Sequence, residues 1–227
     1  MNNDELLLRI YECNKCSSLN IERNPSKGII PLFGEGDPNN PLWIVGLNPK
    51  LEEEGMIVPD NEKSFTKYLK VERAYFNNMK TSHSYFKDFK HIFGPKWESI
   101  FKKHIFYTDL VKYGSPNFKE IKKPAIKNCE IFLLEQIKAF TPRIIFCNGT
   151  PVVDWFKEHF TIKDNENNTQ GELFLKDNKL SLIYSGFIGR IDNYARRRIK
   201  PELINLLKSI NSEESNPQLQ DTESRIK

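Results

Sequence analysis

Short apolar runs bounded by turn residues recur along the chain and predict four buried strands. Each run is five to eight residues long and carries β-branched or aromatic side chains, which is typical of strands buried on both faces. The four runs are Pro41–Gly46, Ile105–Asp109, Pro142–Gly149 and Leu180–Tyr184. Segments with helical spacing lie between them. The pattern predicts an α/β fold, a three-layer α/β/α sandwich with a mostly parallel four-stranded central sheet.

Helices and loops account for the rest of the chain. The predicted helices are Asp4–Tyr11, several short ones between Lys63 and Lys103, one that Cys129 opens, Thr150–His159 and Pro201–Ile210. Asp164–Asn168 is predicted to be a polar surface loop, and Glu172–Leu175 to form a hairpin with the last strand around Asp177 and Asn178. We expect one domain over residues 1–210 and a disordered tail over residues 211–227.

Composition and charge narrow the class of protein only a little. The 227 residues include 34 Lys and Arg against 30 Asp and Glu, a net charge of +4, which is too small to establish nucleic-acid binding. No run approaches the about 20 apolar residues of a membrane span, and no stretch resembles a signal peptide. We expect a soluble, cytoplasmic monomer without a membrane partner.

Polar side chains follow two of the predicted strands at their carboxyl ends. Asn48 stands in the turn Gly46-Leu47-Asn48-Pro49, and Asp109 ends the second strand. In open α/β sheets the residues just past the strand ends face the ligand crevice, so both side chains are candidates for chemistry. The alternative for Asn48 is that Asn-Pro is only a turn dipeptide.

The first strand and its flanks resemble a motif of the uracil-DNA glycosylase superfamily. Gly34-Glu35-Gly36, Val45-Gly46 and Glu52-Glu53-Glu54-Gly55 are similar to the iron–sulfur-containing branch. Leu47-Asn48-Pro49 looks more like the mismatch-specific and single-strand-selective branches. The resemblance implies that Asn48 positions the attacking water, as the asparagine does in those branches.

A second stretch resembles the iron–sulfur branch in its spacing. That branch has a strand ending in Asn, two apolar residues, Lys and Cys, and then another Cys after fifteen residues. Here Asp109-Leu-Val-Lys-Tyr113 is followed, after fifteen residues, by Cys129-Glu-Ile-Phe-Leu-Leu-Glu-Gln-Ile137. Two residues depart from the pattern, because Asp109 replaces the asparagine and Tyr113 replaces a cluster cysteine.

Three cysteines match the other ligand positions of the family's cluster. Cys13 and Cys16 form a C-x-x-C knuckle, a spacing that can hold Zn²⁺ or an iron–sulfur cluster, and Cys129 is the third. The resemblance therefore implies a Zn²⁺ or iron–sulfur site at these cysteines. A metal-free site is the alternative, since Tyr113 stands in the fourth position.

The segment after the last strand has the position of the family's second motif, normally His-Pro-Ser. The best register places Tyr184, Ser185 and Gly186 there, so the histidine is absent. The resemblance implies that this segment enters the DNA minor groove. By the same resemblance, residues 187–198 would supply a wedge, Phe187 or Ile188, and phosphate contacts from Arg190, Arg196, Arg197 and Arg198. A solvated start of a helix is the alternative for Arg196 to Arg198.

Taken together, the resemblance implies a DNA glycosylase that removes a flipped pyrimidine. The implied substrate-binding residues are Gly46, Leu47, Val58, Tyr184 and Ser185, with Asn48 and Asp109 as the catalytic pair. Uracil is one candidate base; a modified cytosine of the kind some phages carry is the other, because a carboxyl at position 109 suits cytosine's edge. The second would imply defence against foreign DNA.

Two other classes of function stay open. The missing histidine favours a catalytically inactive member that only binds nucleic acid. The turn at Gly34–Gly36 suggests a small-molecule enzyme, but a dinucleotide site needs its glycines after the strand rather than before it.

Overall fold

The centre of the molecule is a six-stranded sheet. The computed structural model describes residues 3–16, 19, 33–48, 87–114, 123–176 and 178–214. The strands are β1 (Leu42–Gly46), β2 (Ile105–Asp109), β3 (Ile144–Asn148), β4 (Lys163–Asp164), β5 (Gln170–Leu175) and β6 (Asn178–Ser185). They lie in the order β2-β1-β3-β6-β5-β4.

Four of these strands are parallel and form the predicted central sheet. β1 pairs with β2 and β3, and β3 pairs with β6, in parallel register. β5 and β4 add two antiparallel strands at one edge, so the sheet has six strands rather than four. Lys163 and Asp164 belong to β4, and the predicted loop therefore starts one residue later, at Asn165. The predicted hairpin between β5 and β6 is confirmed.

Helices cover both faces of the sheet, as a three-layer sandwich requires. They are α1 (Asn3–Glu12), α2 (Lys90–Phe93), α3 (Trp97–His104), α4 (Lys123–Phe140), α5 (Thr150–His159) and α6 (Asn193–Glu214), with a 3₁₀ turn at Gly94–Lys96. One core contains Phe89, Phe101, Ile199 and Leu203 from the α2, α3 and α6 side. The other contains side chains of α1, α4 and α5, among them Ile10, Leu133 and Phe156.

The last helix is longer than the sequence predicts at both ends. It begins at Asn193, where Asp192 Oδ1 accepts a hydrogen bond from the Ala195 amide at 2.7 Å, and it continues through Pro201 to Glu214. A proline inside a helix removes one main-chain hydrogen bond. Buried Ile199 and Leu203 flank it and anchor the helix to the sheet. The predicted tail from residue 211 therefore begins as helix, and residues 215–227 lie outside the described part.

The Gly-x-Gly turn has a structural role at the edge of β2. Glu35 and Tyr107 exchange main-chain hydrogen bonds of 2.7 and 2.8 Å, which occupies part of the free edge of that strand. Gly34 and Gly36 have φ angles of 151° and 91°. A Cβ at Gly36 would lie 2.2 Å from the Ile105 carbonyl oxygen, so glycine is needed for this close approach.

Candidate active site

The carboxyl ends of the four parallel strands place a row of residues at one edge of the sheet. Asp109 is level with Gly46, and Asn148 is level with Ser185. Val45 pairs with Cys147, so Gly46 and Asn148 are also level. Because side chains alternate along a strand, this row faces the same side of the sheet as Tyr107, which packs with the α2, α3 and α6 core.

Asp109 is the most unusual member of this row. Asp109 is fully buried (0% exposed), and its Oδ1 accepts a 2.9 Å hydrogen bond from the Tyr107 hydroxyl. The second oxygen, Oδ2, is buried and has no hydrogen-bond partner among the described residues. Burial raises the pKa of this carboxyl to about 7, while the Tyr107 hydrogen bond and the charge of Lys112 act in the opposite direction. Near neutral pH, Asp109 is therefore populated in both its neutral and ionised forms.

Gly46 provides the space that the Asp109 carboxyl occupies. A Cβ at position 46 would lie 2.3 Å from Asp109 Oδ1 and 2.9 Å from the Tyr107 hydroxyl. Any larger residue would push this buried pair apart. The predicted site residue Gly46 thus acts through its lack of a side chain.

Asn48 follows β1 at the same edge of the sheet. The main chain before it is fixed, because the amides of Leu110 and Val111 donate to the carbonyls of Gly46 and Leu47 at 2.9 and 2.8 Å. Asn48 itself is half-buried, and Leu47 packs against the opposite core. The structure thus brings Asn48 to the edge where Asp109 lies. Val58 lies outside the described residues.

A buried asparagine that the sequence analysis missed shapes the loop after β6. Asn148 is 1% exposed and its Oδ1 accepts a 2.8 Å hydrogen bond from the Ile188 amide. Ser185 lies next to it, and its hydroxyl donates to the Gly186 carbonyl at 2.7 Å. The position of Asn148 at the end of a strand and before Gly149 was the available signal, the same one that identified Asp109.

The two candidate wedge residues differ sharply in exposure. Ile188 is 0% exposed and belongs to the core on the α6 side of the sheet. Phe187 is 41% exposed, and the Arg190 guanidinium lies 5.9 Å from its ring centroid. Of these two residues, Phe187 is the one with an exposed apolar side chain. The wedge role stays a prediction for both residues; the Ile188 side chain lies in the core, and its amide donates to Asn148 Oδ1.

Tyr184 was predicted to bind the substrate, which stays a prediction, and its side chain lies in the core on the face of the sheet opposite the Asp109 row. It precedes Ser185 in β6 and therefore faces the opposite side of the sheet. Its hydroxyl donates to Asp164 Oδ1 at 2.7 Å, and Lys157 Nζ lies 4.7 Å from its ring centroid. Burial raises the pKa of this phenol, and the neighbouring Asp164 adds to the shift. The side chain belongs to the α5 layer rather than to the crevice.

The arginines of the basic run divide into two groups. Arg196 donates to the Ile188 carbonyl at 3.1 Å, and Arg198 donates to the Tyr184 carbonyl at 2.8 Å and to Glu202 at 2.6 Å. Both hold the main chain of the loop. Arg190 and Arg197 are exposed. Phosphate contact by any of the four stays a prediction, and Arg190 and Arg197 present the most surface for it.

The candidate metal centre lies at a separate corner of the molecule. Cys16 and Cys129 are buried with their sulfurs 4.0 Å apart, and Asn128 Nδ2 lies 3.8 Å from Cys16 Sγ. The hydrogen bond from Cys129 lowers the pKa of the Cys16 thiol to about 7, and the same contact raises the pKa of Cys129. Cys13 is half-exposed.

Tyr113 stands where the sequence resemblance implies a fourth cluster ligand. Its hydroxyl donates to the main-chain carbonyls of Ile10 (3.0 Å) and Cys13, the residues that lead into the C-x-x-C knuckle. Among the described residues no group of three or more metal-ligating side chains converges. The residues present therefore do not fit a four-thiolate cluster. Binding of Zn²⁺ or iron at the three cysteines stays a prediction.

A comparison with known protein families agrees with the α/β fold described above. The family model described as the Uracil DNA glycosylase superfamily matches residues 33–204. The chain belongs to the uracil-DNA glycosylase superfamily. No curated protein matches the chain significantly. Membership indicates a DNA glycosylase, a hydrolase that acts on DNA, as members of the superfamily generally are. Within the described residues no helix has the length and apolarity needed to cross a membrane.

Proposed function

We propose that this protein hydrolyses the N-glycosidic bond of a pyrimidine flipped out of DNA and leaves an abasic site. The observation that carries the proposal is the Asp109 carboxyl, which is fully buried at the carboxyl edge of the sheet and whose Oδ2 has no hydrogen-bond partner within the described part of the chain. A buried polar atom without a partner costs free energy, and native structures keep such atoms mainly where they have a task. Here the task is to hydrogen-bond the flipped base.

The hydrogen-bonding capacity of Asp109 favours a cytosine derivative over uracil. Cytosine presents an amino donor at N4 and an acceptor at N3, and uracil presents the opposite pattern. A neutral carboxyl accepts from N4 and donates to N3, and an ionised one still accepts from N4. Because the host's own cytosine must be spared, we propose that the substrate is a modified cytosine from foreign DNA. This activity would serve defence against phages.

Water and leaving-group chemistry complete the reaction. Hydrolysis of an N-glycosidic bond in this superfamily needs no covalent nucleophile, only an extruded base, a positioned water and stabilisation of the departing base. Asn48 holds the water in this proposal, supported by its fixed place two residues beyond Gly46. Asp109 has no exposed surface, so a base reaches Oδ2 only when the atoms that cover it move aside.

The loop after β6 supplies the contact with DNA. Phe187 is the wedge that fills the gap left by the flipped nucleotide, a step that costs a few kcal/mol and that phosphate contacts offset. Arg190, beside the Phe187 ring, and Arg197 bind the phosphates. Asn148 and Arg196 support this role indirectly, since both hold the main chain of Ile188.

The test is excision from defined oligonucleotides. Single- and double-stranded DNA containing uracil, cytosine, hydroxymethylcytosine or glucosylated hydroxymethylcytosine is incubated with excess protein, and abasic sites are cleaved with alkali. We expect cleavage at a modified cytosine. Efficient excision of uracil with no activity on any cytosine derivative would refute the substrate assignment, and no excision of any base would refute the glycosylase.

A catalytically inactive DNA-binding member is the second candidate. It is favoured by the loss of the family's histidine, since Tyr184 at that position points to the other side of the sheet. The same oligonucleotides separate the two, because an inactive member would bind them at low salt and leave every glycosidic bond intact.

A further inference from the structure

A neutral carboxyl has one oxygen that donates a hydrogen bond and one that only accepts, so it can present these to a base in two opposite orders. At Asp109 the contacts of the two oxygens favour one order. We propose that Tyr107 is a positioning residue that confines the Asp109 proton to Oδ2, so that Asp109 offers a donor at Oδ2 and an acceptor at Oδ1. The inference rests on the proposed function, in which Asp109 contacts the base. It adds a specificity-determining residue that lies outside the motifs recognised in the sequence.

The geometry of the pair leaves little freedom. Tyr107 and Asp109 are two residues apart on β2, so both side chains leave the same face of the strand, and both are buried. The Tyr107 hydroxyl donates to Oδ1 at 2.9 Å. The carbonyl oxygen of a neutral carboxyl is its better acceptor, so this bond favours the carboxyl form whose proton is on the other oxygen. Oδ2 is the oxygen without a partner among the described residues.

The close packing at Gly46 prevents the pair from rearranging. A side chain at position 46 would come too close to both Oδ1 and the Tyr107 hydroxyl, so the bonded pair in this arrangement requires glycine there or a local shift. Lys112 is the other charged group that influences Asp109, and it acts through its charge. Its Nζ donates to Thr108 Oγ1 at 2.7 Å and to Gln136 Oε1 at 2.6 Å.

A fixed proton makes the carboxyl selective. With N3 of the base opposite Oδ2, cytosine accepts the Oδ2 proton at N3 and donates from N4 to Oδ1. Uracil in the same place would oppose donor to donor and acceptor to acceptor. Without the Tyr107 hydroxyl the proton can occupy either oxygen of Asp109, and both edges can be matched. Loss of this hydroxyl should therefore reduce selectivity more than it reduces activity.

The experiment measures a ratio of rates in three variants. Single-turnover excision of the preferred cytosine derivative and of uracil is compared for wild type, Tyr107→Phe and Tyr113→Phe. Tyr113→Phe is the matched control, because it removes the hydroxyl of another buried tyrosine, one that bonds the main-chain carbonyls of Ile10 and Cys13. We expect Tyr107→Phe to lower the cytosine-to-uracil ratio about tenfold or more, within the range of one bidentate base contact. Tyr113→Phe should keep the wild-type ratio.

Gly46→Ala provides a second variant that does not alter either partner. Its methyl group should separate Tyr107 from Asp109 and lower the ratio in the same direction. A ratio within twofold of wild type in folded Tyr107→Phe and in Gly46→Ala overturns the inference. If Asp109→Asn then changes the ratio, the proposed function survives without Tyr107. If Asp109→Asn leaves it unchanged, Asp109 does not read the base and the inference has failed while the glycosylase stands; if wild type excises nothing, the proposed function itself has failed and the inference with it.

Discussion

Two buried polar residues four positions apart, Asp109 and Tyr113, behave in opposite ways. By the sequence resemblance to the iron–sulfur branch, Asp109 stands where a base-reading asparagine is expected and Tyr113 where a cluster cysteine is expected. The Tyr113 hydroxyl donates to the carbonyls of Ile10 and Cys13. Asp109 leaves Oδ2 without a partner among the described residues. The Tyr113 hydroxyl is used in hydrogen bonds within the chain, whereas in the proposed function Asp109 Oδ2 is available to bind the flipped base.

The contrast separates two kinds of departure from a family pattern. A replacement whose polar atoms are all used inside the protein stabilises the fold and closes an old site. A replacement that keeps a buried atom unsatisfied reduces stability, so it needs a function to account for it. The comparison therefore predicts different consequences when the two residues are mutated.

The largest expected effect is on stability at Asp109. The pKa of this carboxyl is about 7 in the folded protein against a usual 3.8, so the folded state binds the proton more tightly than the unfolded state. Wild-type stability should therefore fall as pH rises from about 4 to 7 and stay level above that. Asp109→Asn removes this pH dependence. Its free energy of unfolding should therefore rise by up to about 4 kcal/mol relative to that of wild type between pH 4 and pH 8.

Urea unfolding at several pH values measures this difference. Asp154→Asn, on the exposed face of α5, is the control and should keep a constant difference from wild type. If the free energies of unfolding of wild type and Asp109→Asn changed in parallel with pH, the raised pKa of the buried Asp109 carboxyl would be contradicted.

The next effect concerns catalysis at Asn48. Asn48→Ala removes the group that holds the water, and we expect single-turnover excision to fall about a hundredfold, comparable to losing one preorganised polar contact in a transition state. Asn128→Ala is the matched control in the cysteine corner, where its Nδ2 donates to the Lys15 carbonyl at 2.9 Å. An unchanged rate in Asn48→Ala would leave Asn48 as a turn residue.

Tyr113 should affect stability and leave excision unchanged. Tyr113→Phe removes a donor from the carbonyls of Cys13 and Ile10, of which Ile10 keeps the Cys13 amide, and should lower the free energy of unfolding by about 1–3 kcal/mol. Because its hydroxyl takes the place of a cluster ligand, wild type should also lack the visible absorption of an iron–sulfur cluster. Elemental analysis for iron and zinc on anaerobically purified protein tests the three cysteines directly. A stoichiometric four-iron cluster would break the contrast with Asp109.

The smallest effect is expected at Arg197, an exposed residue of α6. Arg197→Ala should weaken DNA binding a few-fold for every sequence alike and reduce the slope of log affinity against log salt by about 1. Lys179→Ala, in the salt bridge with Glu172 at the start of β6, is the control. A loss confined to one DNA sequence would contradict a phosphate contact.

The strands were predictable because their signal is local. Apolar runs and the polar residues that end them placed Asp109 and Asn48 at one edge of a parallel sheet, and the structure agrees. The same local signal was present at Asn148 and was overlooked. The extra strand at Lys163 and Asp164 carries no apolar pattern, since it is exposed and depends on pairing with β5.

The direction of individual side chains was harder to predict than the position of the elements along the chain. Tyr184 and Ser185 are adjacent in a strand, so both could not face one pocket, a constraint that the resemblance does not contain. Ile188 turns inward because a distant side chain, Asn148, binds its amide. Pro201 normally marks a boundary, yet buried side chains on both sides of it keep α6 continuous. Such outcomes are set by tertiary contacts.

Gly46 also has a consequence for the evolution of related chains. The volume that its missing methyl group would fill is occupied by the carboxyl of a residue 63 positions later, Asp109. A related chain that gains a side chain at position 46 must therefore have a smaller or differently oriented side chain at position 109. The residues at these two positions should covary among relatives. Glycine at position 46 with tyrosine and aspartate at positions 107 and 109 would form a three-letter fingerprint. That fingerprint would recognise enzymes sharing this base preference where overall similarity has faded.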